Sequence, residues 1–194
     1  INVNGLYLSF YSLNDNQSHL YNILATLASI HSLTNIKKLK KDIFLNFKIP
    51  EGRGDISKIK IKRKIIKFID ESYNANPLSV KSAVENFSNI KKKGKKKYFL
   101  FGDMMELGKN SHIYHKKISK FINNSDIDKT FVYGERATKA YKFLRKNKRG
   151  EIINNFESFD NTISKILQNG DFLMIKGSNA TKLYRISENF LRSS

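Results

Sequence analysis

One stretch of the sequence decides the fold of this chain: Ile65-Ile66-Lys67-Phe68-Ile69-Asp70-Glu71-Ser72-Tyr73-Asn74-Ala75-Asn76-Pro77. Its first half is an apolar run that predicts a buried strand, and its second half turns abruptly polar. Pro77 then opens an amphipathic segment, residues 78–87, that predicts a helix. Because α/β proteins hold ligands where a parallel strand hands over to a helix, this junction predicts a binding site.

Further along the chain, short apolar runs alternate with segments of helical periodicity. The predicted strands cover residues 59–61, 64–69, 98–101, 129–133, 151–156 and 172–175. The predicted helices cover residues 78–90, 112–122, 136–145, 161–168 and 180–191. This rhythm predicts an α/β fold, a Rossmann-like and mostly parallel sheet with helices on both faces. Only Lys62 and Arg63 separate the first two strands, which also allows a hairpin and a mixed edge.

The first quarter of the chain has a different pattern. Residues 3–13 alternate loosely as a strand would, and residues 19–33 carry apolar side chains at helical spacing. Residues 36–47 are a second, lysine-rich helix candidate. The run Ile49-Pro50-Glu51-Gly52-Arg53-Gly54 interrupts any helix, so we expect a domain boundary there, between residues 1–48 and 49–194.

Composition limits the class of protein. With 194 residues, 40% of them hydrophobic, the chain is long enough for one core and part of another domain. Its apolar runs fall short of the roughly 20 residues of a membrane helix, so no membrane insertion is expected. The first residues do not form a signal-peptide pattern, and the sequence contains no cysteine for a disulfide framework. These features favour a cytoplasmic protein.

The charge is strongly positive. Lysine and arginine number 36 against 17 acidic residues, a formal net charge of +19. Such a balance is typical of proteins that bind a polyanion, including nucleic acid. Lysine far outnumbers arginine, however, and the chain is rich in asparagine and isoleucine, which codon bias in an AT-rich genome also produces. We therefore expect no nucleic-acid partner, and we interpret the lysine run at residues 91–97 as a solvated loop.

Four polar clusters directly follow predicted strands. They occupy residues 70–76, 102–108, 134–136 and 176–179. Because the carboxyl ends of parallel strands meet at one edge of a sheet, these clusters are expected to converge on one crevice. The glycines and Asp103 also have a plainer interpretation, as turn formers and a helix cap.

Other constellations are weaker. His112 and His115 share a predicted helix face, but two histidines without a third ligand make a poor metal site, and we predict none. The run Gly52-Arg53-Gly54 lacks the third glycine of a dinucleotide fingerprint. No Gly-x-x-x-x-Gly-Lys-Ser/Thr occurs in the sequence, so these residues contain no P-loop.

The clusters resemble a known family in order and spacing. Asp70-Glu71-Ser72-Tyr73-Asn74-Ala75-Asn76-Pro77, Gly102-Asp103-Met104-Met105-Glu106-Leu107-Gly108 and Lys176-Gly177-Ser178 are similar to motifs of the Mur ligases of bacterial peptidoglycan synthesis. They resemble most the members that add D-alanyl-D-alanine. Two shorter matches are Gly52-Arg53, similar to the junction before the last domain, and Asn22-Ile23-Leu24-Ala25, similar to the end of the adenine motif.

The resemblance implies an activity for a three-domain enzyme. ATP, with Mg²⁺, phosphorylates the carboxylate of UDP-N-acetylmuramoyl-tripeptide, and the amine of D-alanyl-D-alanine attacks the acyl phosphate. Residues 1–48 would be the end of the central ATPase domain and residues 49–194 the whole C-terminal domain. The full enzyme would be a cytoplasmic monomer serving cell wall biogenesis, cell shape and division. The 194-residue chain alone is expected to be inactive, because it lacks the P-loop.

The resemblance also implies the site residues. Arg53 and Asp70 would be catalytic and would bind the nucleotide, Arg53 through the ATP phosphates and Asp70 by accepting from the ribose hydroxyls or orienting Arg53. Asn22 would face the adenine. The residues on the dipeptide side would be Tyr73, Asn74, Asn76, Asp103 and Lys176.

Departures from the family pattern keep alternatives open. The adenine motif has Ser18 where the family carries histidine, with His19 one place later. A Mur ligase that adds another amino acid is disfavoured by Tyr73-Asn74-Ala75-Asn76, since sister enzymes are expected to carry histidine there. The alternative from a different class is a stand-alone basic α/β module that binds nucleic acid or another polyanion.

Overall fold

The computed structural model describes residues 1–3, 5–13, 17–46 and 52–192. By its internal contacts the chain divides into two units, Ile1–Lys48 and Ile49–Ser194, and each is described by itself. The boundary expected at residues 49–54 falls partly outside the described residues, because the description resumes at Gly52.

The first unit contains a small hairpin and one long helix. Strands β1 (Asn2–Val3) and β2 (Leu6–Tyr7) pair antiparallel, so the strand predicted over residues 3–13 exists only as these short pieces. Helix α1 (Gln17–Leu33) confirms the helix predicted over residues 19–33.

The second helix predicted in this unit is wrong. Residues 36–46 contain a single 3₁₀ turn (Ile36–Lys38) followed by turns, and Phe47 lies outside the described residues. The Asn35 side chain accepts from the backbone N–H of Lys37 at 3.0 Å and starts the turn, and Leu39 already has extended backbone angles. Closely spaced lysines disfavour a longer helix because like charges three and four residues apart repel.

A six-stranded sheet forms the centre of the second unit. Its strands are β3 (Asp55–Ile61), β4 (Lys64–Glu71), β5 (Lys97–Gly102), β6 (Lys129–Tyr133), β7 (Arg149–Ile153) and β8 (Phe172–Lys176). They lie in the order β3-β4-β8-β5-β6-β7. Strands β3 and β4 form the antiparallel hairpin that the short Lys62-Arg63 link allowed, and the other neighbours are parallel. The predicted fold class is confirmed.

Helices cover both faces of this sheet. They are α2 (Pro77–Asn89), α3 (Ser111–Asn123), α4 (Glu135–Tyr141), α5 (Phe156–Ile166) and α6 (Tyr184–Arg192). Successive residues of a strand point to opposite faces, so β5 buries Phe99 in the core with α2, α3 and α4 and Leu100 in the core with α5 and α6. Among the described ranges, no helix is long and apolar enough to cross a membrane.

Three helices differ in extent from the sequence prediction; one of them, α6, begins at Tyr184, four residues later than predicted. Helix α5 begins at Phe156, five residues earlier than predicted, because the Asn155 side chain caps it by accepting from the N–H of Ser158 at 2.8 Å. Helix α4 ends at Tyr141, before the predicted end at residue 145. Strand β7 correspondingly ends at Ile153 and leaves room for the cap of α5.

The lysine run at residues 91–97 is not simply a solvated loop, which corrects the prediction. Lys97 is fully buried, and its ammonium donates to the carbonyl of Ser88 at 2.8 Å and pairs with Asp126 at 3.3 Å. Lys92 pairs with Asp126 at 2.8 Å and with Asp128 at 2.9 Å. Part of the positive charge therefore has internal partners at the amino edge of the sheet and needs no external polyanion.

A substitution on the central strand β5 tests how closely the core is packed. Phe99 on β5 is fully buried, whereas Phe143 is 41% exposed. We predict that Phe99→Ala lowers the free energy of unfolding by about 3–5 kcal/mol, because it removes a large side chain from a closely packed interior. The matched change Phe143→Ala is expected to cost less than about 1 kcal/mol. Equal losses in urea unfolding of the two variants would contradict the packing described here.

Candidate functional site

A pocket lies at the carboxyl edge of the sheet, beside the ends of β4, β5 and β8. Its volume is about 400 Å³. Three segments line it, one following each of these strands: Tyr73, Asn74, Ala75 and Asn76; Met105, Glu106 and Leu107; Ser178, Asn179 and Ala180. Strand β8 lies between β4 and β5, so the topology brings together three of the four polar clusters that the sequence predicted to converge. The fourth cluster, residues 134–136 after β6, is not part of the pocket lining.

A buried lysine holds the first segment from below. Lys176 is the last residue of β8 and is 2% exposed. Its ammonium donates to the carboxylate of Glu71 and to the carbonyl of Asn74, both at 3.0 Å. Lys176 was predicted to contact substrate, but it is not among the residues that line the pocket. Its hydrogen bond to the carbonyl of Asn74 fixes the backbone of a segment that does line the pocket.

The two asparagines of this segment line the pocket and also shape it. Asn74 Oδ1 accepts from the N–H of Ala75 at 2.8 Å. Asn76 Oδ1 accepts from the N–H of Ser79 at 2.8 Å, and the Ser79 hydroxyl accepts from the N–H of Asn76, which together form a capping box at the start of α2. The side-chain amide N–H groups of both asparagines are the donors left for a ligand.

Asp103, predicted to lie on the dipeptide side, caps helix α4 behind the second segment and is not among the residues that line the pocket. It is buried, and its carboxylate accepts from the N–H of Ala137 at 2.7 Å and of Arg136 at 3.3 Å, in the first turn of α4. Gly134 allows this approach, because a Cβ there would lie 2.5 Å from the Asp103 carboxyl carbon. The plainer interpretation of Asp103, as a cap, is the one that this geometry supports.

A buried histidine fixes the second segment as well. His115 Nε2 accepts from the N–H of Met104 at 3.0 Å, and Nδ1 lies 2.7 Å from the carbonyl of Ser111. These partners require a neutral ring with the proton on Nδ1. Burial lowers the pKa of His115, against the opposing effects of the Ser111 carbonyl and Asp103, and Arg136 lowers it further.

Ser178 joins the two segments. Its hydroxyl oxygen accepts from the N–H of Met105 at 2.8 Å, and its proton is donated to the carbonyl of Ala75 at 3.2 Å. The N–H of Ser178 donates to the carbonyl of Asp103 at 3.0 Å. One residue of the turn after β8 thus sets the distance between the two other segments.

Arg53 and Tyr73 meet near the pocket. The Arg53 guanidinium carbon lies 4.2 Å from the centre of the Tyr73 ring, and both side chains are exposed. The backbone holds them there, because the N–H of Tyr73 donates to the carbonyl of Gly52 at 3.3 Å and the N–H of Gly54 to that of Asp70 at 2.7 Å. Arg53 therefore presents its N–H donors to solvent next to a residue that lines the pocket.

Asp70, for which a ribose or Arg53 was predicted as partner, has two hydrogen-bond partners within the fold. Its Oδ1 accepts from the N–H of Ser72 at 3.0 Å and from the hydroxyl of Ser187 on α6 at 2.9 Å. The guanidinium of Arg53 lies over Tyr73 rather than on this carboxylate. Asp70 thus links the turn after β4 to helix α6.

The remaining predicted residue belongs to the first unit, which is described by itself. Asn22 is exposed on α1, and its carbonyl accepts from the hydroxyl of Thr26. Within the ranges that the structure describes, no group of three histidine or acidic side chains could hold a metal ion. Sequence reasoning assigned no role to Glu106, His115 or Ser178, although Glu106 and Ser178 stand inside the motifs it singled out.

Residues 57–179 match the family model described as the Mur ligase, glutamate ligase domain. The match covers more than half of the chain. It includes most of β3, all of β4 to β8, two of the three pocket-lining segments and the start of the third. The chain therefore belongs to the Mur ligase family.

Comparison with individual proteins shows which members of the family the chain is similar to. The chain is similar to the UDP-N-acetylmuramoyl-tripeptide--D-alanyl-D-alanine ligase of Bacillus subtilis, 28% identical over 131 residues that make up 66% of this chain and 28% of that protein. It is 29% identical to the ligase of the same name from Rickettsia prowazekii, over 76% of this chain and 33% of that protein. The chain thus spans about a third of these relatives or less.

Solved structures share the fold. A MurF ligase from Thermotoga maritima in complex with ADP superposes with a TM-score of 0.73 at 23% identity, covering 95% of this chain and 39% of that one. A MurC ligase, UDP-N-acetylmuramate-alanine ligase, from the same organism gives a TM-score of 0.63 at 15% identity, covering 97% of this chain and 41% of that one.

His115 predicts a specific dependence of stability on pH. Its pKa is lower in the fold than the ordinary value of about 6.5, so its contribution is fully present above that pH and is lost as the pH falls toward the folded pKa. We predict that His115→Gln, which does not titrate, flattens the fall in unfolding free energy between about pH 7 and about pH 5. The matched change at the exposed His112 is expected to leave the slope as it is. Urea unfolding at several pH values measures both, and equal slopes in the wild type and His115→Gln would contradict a lowered pKa of His115 in the fold.

Proposed function

We propose that this chain is the C-terminal part of an ATP-dependent ligase that adds D-alanyl-D-alanine to UDP-N-acetylmuramoyl-tripeptide. The observation that carries the proposal is the pocket built by the Tyr73–Asn76 and Met105–Leu107 segments, which are the two motifs that most resemble the D-alanyl-D-alanine-adding members. The names of the similar ligases from Bacillus subtilis and Rickettsia prowazekii support it.

The size and lining of the pocket support a small polar ligand. A volume of about 400 Å³ is at the lower end of the range for small-molecule sites, roughly 300–1,000 Å³. The lining combines amides and a hydroxyl with the methyl groups of Ala75 and Ala180. This mixture suits a dipeptide of two methyl-bearing residues better than the nucleotide-linked precursor.

The proposed chemistry needs positioning more than a nucleophile from the protein. The dipeptide nitrogen attacks the carbonyl carbon of the acyl phosphate, a C–N bond forms, the C–O bond to phosphate breaks and phosphate leaves. The nitrogen enters as an ammonium group, so it loses one proton to become a nucleophile and a second, to solvent or to the departing phosphate, as the amide forms. A rigid pocket favours this step because it holds the amine in one orientation, and the bonds from Lys176, Ser178 and His115 supply that rigidity.

The residues of this chain fit part of an ATP site. Arg53 carries an exposed guanidinium whose donors match phosphate oxygens, and we propose that it contacts the phosphates. Asp70 and Asn22 remain proposals for the ribose and the adenine. The Mg²⁺ that such a reaction uses would neutralise phosphate charge, and we propose that its ligands lie outside the described residues. Because ATP and the nucleotide-linked precursor are intracellular metabolites, we propose a cytoplasmic enzyme, monomeric when complete.

Binding of the dipeptide is the first test. We predict that the chain binds D-alanyl-D-alanine and discriminates against L-alanyl-L-alanine in calorimetry. Tyr73→Ala is expected to weaken binding about tenfold, because it removes a ring that lines the pocket and supports Arg53. Leu78→Ala is the matched control, since Leu78 is 76% exposed on the adjoining helix and does not line the pocket. Absence of any dipeptide binding by the wild-type chain would refute the proposed function.

Catalysis by the chain alone is the second test. We predict no amide formation from UDP-N-acetylmuramoyl-tripeptide, ATP and D-alanyl-D-alanine, because the 194 residues contain no P-loop to hold the triphosphate. Product analysis by mass spectrometry measures it. Sustained turnover by the purified chain would show that the phosphate site is built from these residues after all.

A further inference from the structure

We propose that Glu106 binds the ammonium group of the amine substrate in the pocket and thereby selects ligands with a free amine. The inference rests on the proposed function and adds a residue that the motif comparison left without a task. Of the ten residues that line the pocket, Glu106 is the one with a charged side chain. Any ionic contact between the pocket lining and a ligand therefore runs through this carboxylate.

The carboxylate of Glu106 is free to take a ligand. Its neighbours are engaged, since Glu71 pairs with Lys176, Asp70 accepts from Ser72 and Ser187, and Asp103 caps α4. Within the part of the chain that the structure describes, the Glu106 side chain has no ion pair and no hydrogen bond, and the 3₁₀ turn that follows it has no side-chain cap. A structural role for the charge is thus not evident in the fold.

The backbone holds Glu106 in a conformation that disfavours a side chain. Its φ is +61°, in the left-handed region, where glycine is the residue that fits without strain. The preceding N–H groups, of Met104 and Met105, are fixed by His115 and Ser178. Lys62, Lys93 and Lys182 share this left-handed backbone, but of the four residues only Glu106 lines the pocket, where it places a carboxylate.

The electrostatic setting makes this carboxylate selective. The chain carries a net charge of +19, so a cationic ligand group meets repulsion over much of the protein. A local unpaired carboxylate offers the ammonium group a charge-assisted hydrogen bond, stronger than one between neutral partners. The amine of the dipeptide would enter the pocket in one orientation, with its ammonium at Glu106.

The test compares two ligands of the same shape. D-Alanyl-D-alanine carries the ammonium group, whereas D-lactyl-D-alanine carries a hydroxyl in its place. We expect the wild-type chain to prefer the amine by about 10- to 100-fold in calorimetry, as a hydrogen bond to a charged group implies. Glu106→Gln should lose this preference while retaining the affinity for D-lactyl-D-alanine. Glu157→Gln is the matched control, since it makes the same change at an exposed position on α5.

A second variant separates strain from binding. Glu106→Gly removes the carboxylate and relieves the left-handed strain, so we expect a higher urea midpoint together with loss of the preference for the amine. Equal affinity of the wild type for both ligands, or a preference that survives in Glu106→Gln, would overturn the inference and leave the dipeptide proposal standing. Binding of neither ligand by the wild type would overturn the dipeptide proposal and this inference together.

Discussion

The buried ammonium of Lys176 is the constraint on which the candidate site depends. A charge at the end of a central strand is tolerable only if its partners are close, and removing one partner of a buried pair typically costs about 3–5 kcal/mol. Lys176 finds them in the Glu71 carboxylate and the Asn74 carbonyl, so the chain after β4 must pass directly over the end of β8. The path of the pocket-lining segment follows from that requirement.

At both edges of the sheet, lysine ammonium groups bond to carboxylates and backbone carbonyls within the fold. At the carboxyl edge, Lys176 shapes a pocket. At the amino edge, Lys97 and Lys92 converge on Asp126, and Lys148 donates to the carbonyls of Ser125 and Ile127. Burial lowers the pKa of Lys97, against the opposing effect of Asp126. In a chain with so many lysines, several serve as internal braces of the fold.

The sequence predicted the sheet and its helices well because hydrophobic periodicity is a local signal. Strands β4 and β8 are apolar runs bounded by polar turns, and the two-residue link after β3 is short enough to indicate a hairpin. The helix prediction for residues 36–47 was wrong for a local reason too, because the Asn35 cap and the closely spaced lysines favour turns. The start of α5 was missed because Asn155 was not recognised as a cap.

The position of the site in the fold was predictable from the sequence, but the contacts of its individual side chains were less so. Topology alone implied that the polar ends of β4, β5, β6 and β8 converge; Tyr73, Asn74 and Asn76 do line one pocket, whereas residues 134–136 after β6 do not. What each side chain contacts depends on residues far away in the sequence: Lys97 is buried because Asp126 lies 29 positions on, and Asp103 turns to a helix 33 positions on. The left-handed backbone of Glu106 has no signature in the residue itself.

The hydroxyl of Ser178 has a consequence for what the pocket accepts. A serine hydroxyl has one proton and two lone pairs. The proton is committed to the carbonyl of Ala75 and one lone pair to the N–H of Met105. The hydroxyl therefore has no proton left to donate to a molecule in the pocket. A ligand oxygen that carries no hydrogen finds no donor at Ser178, and only an N–H or O–H group of a ligand could bond to it.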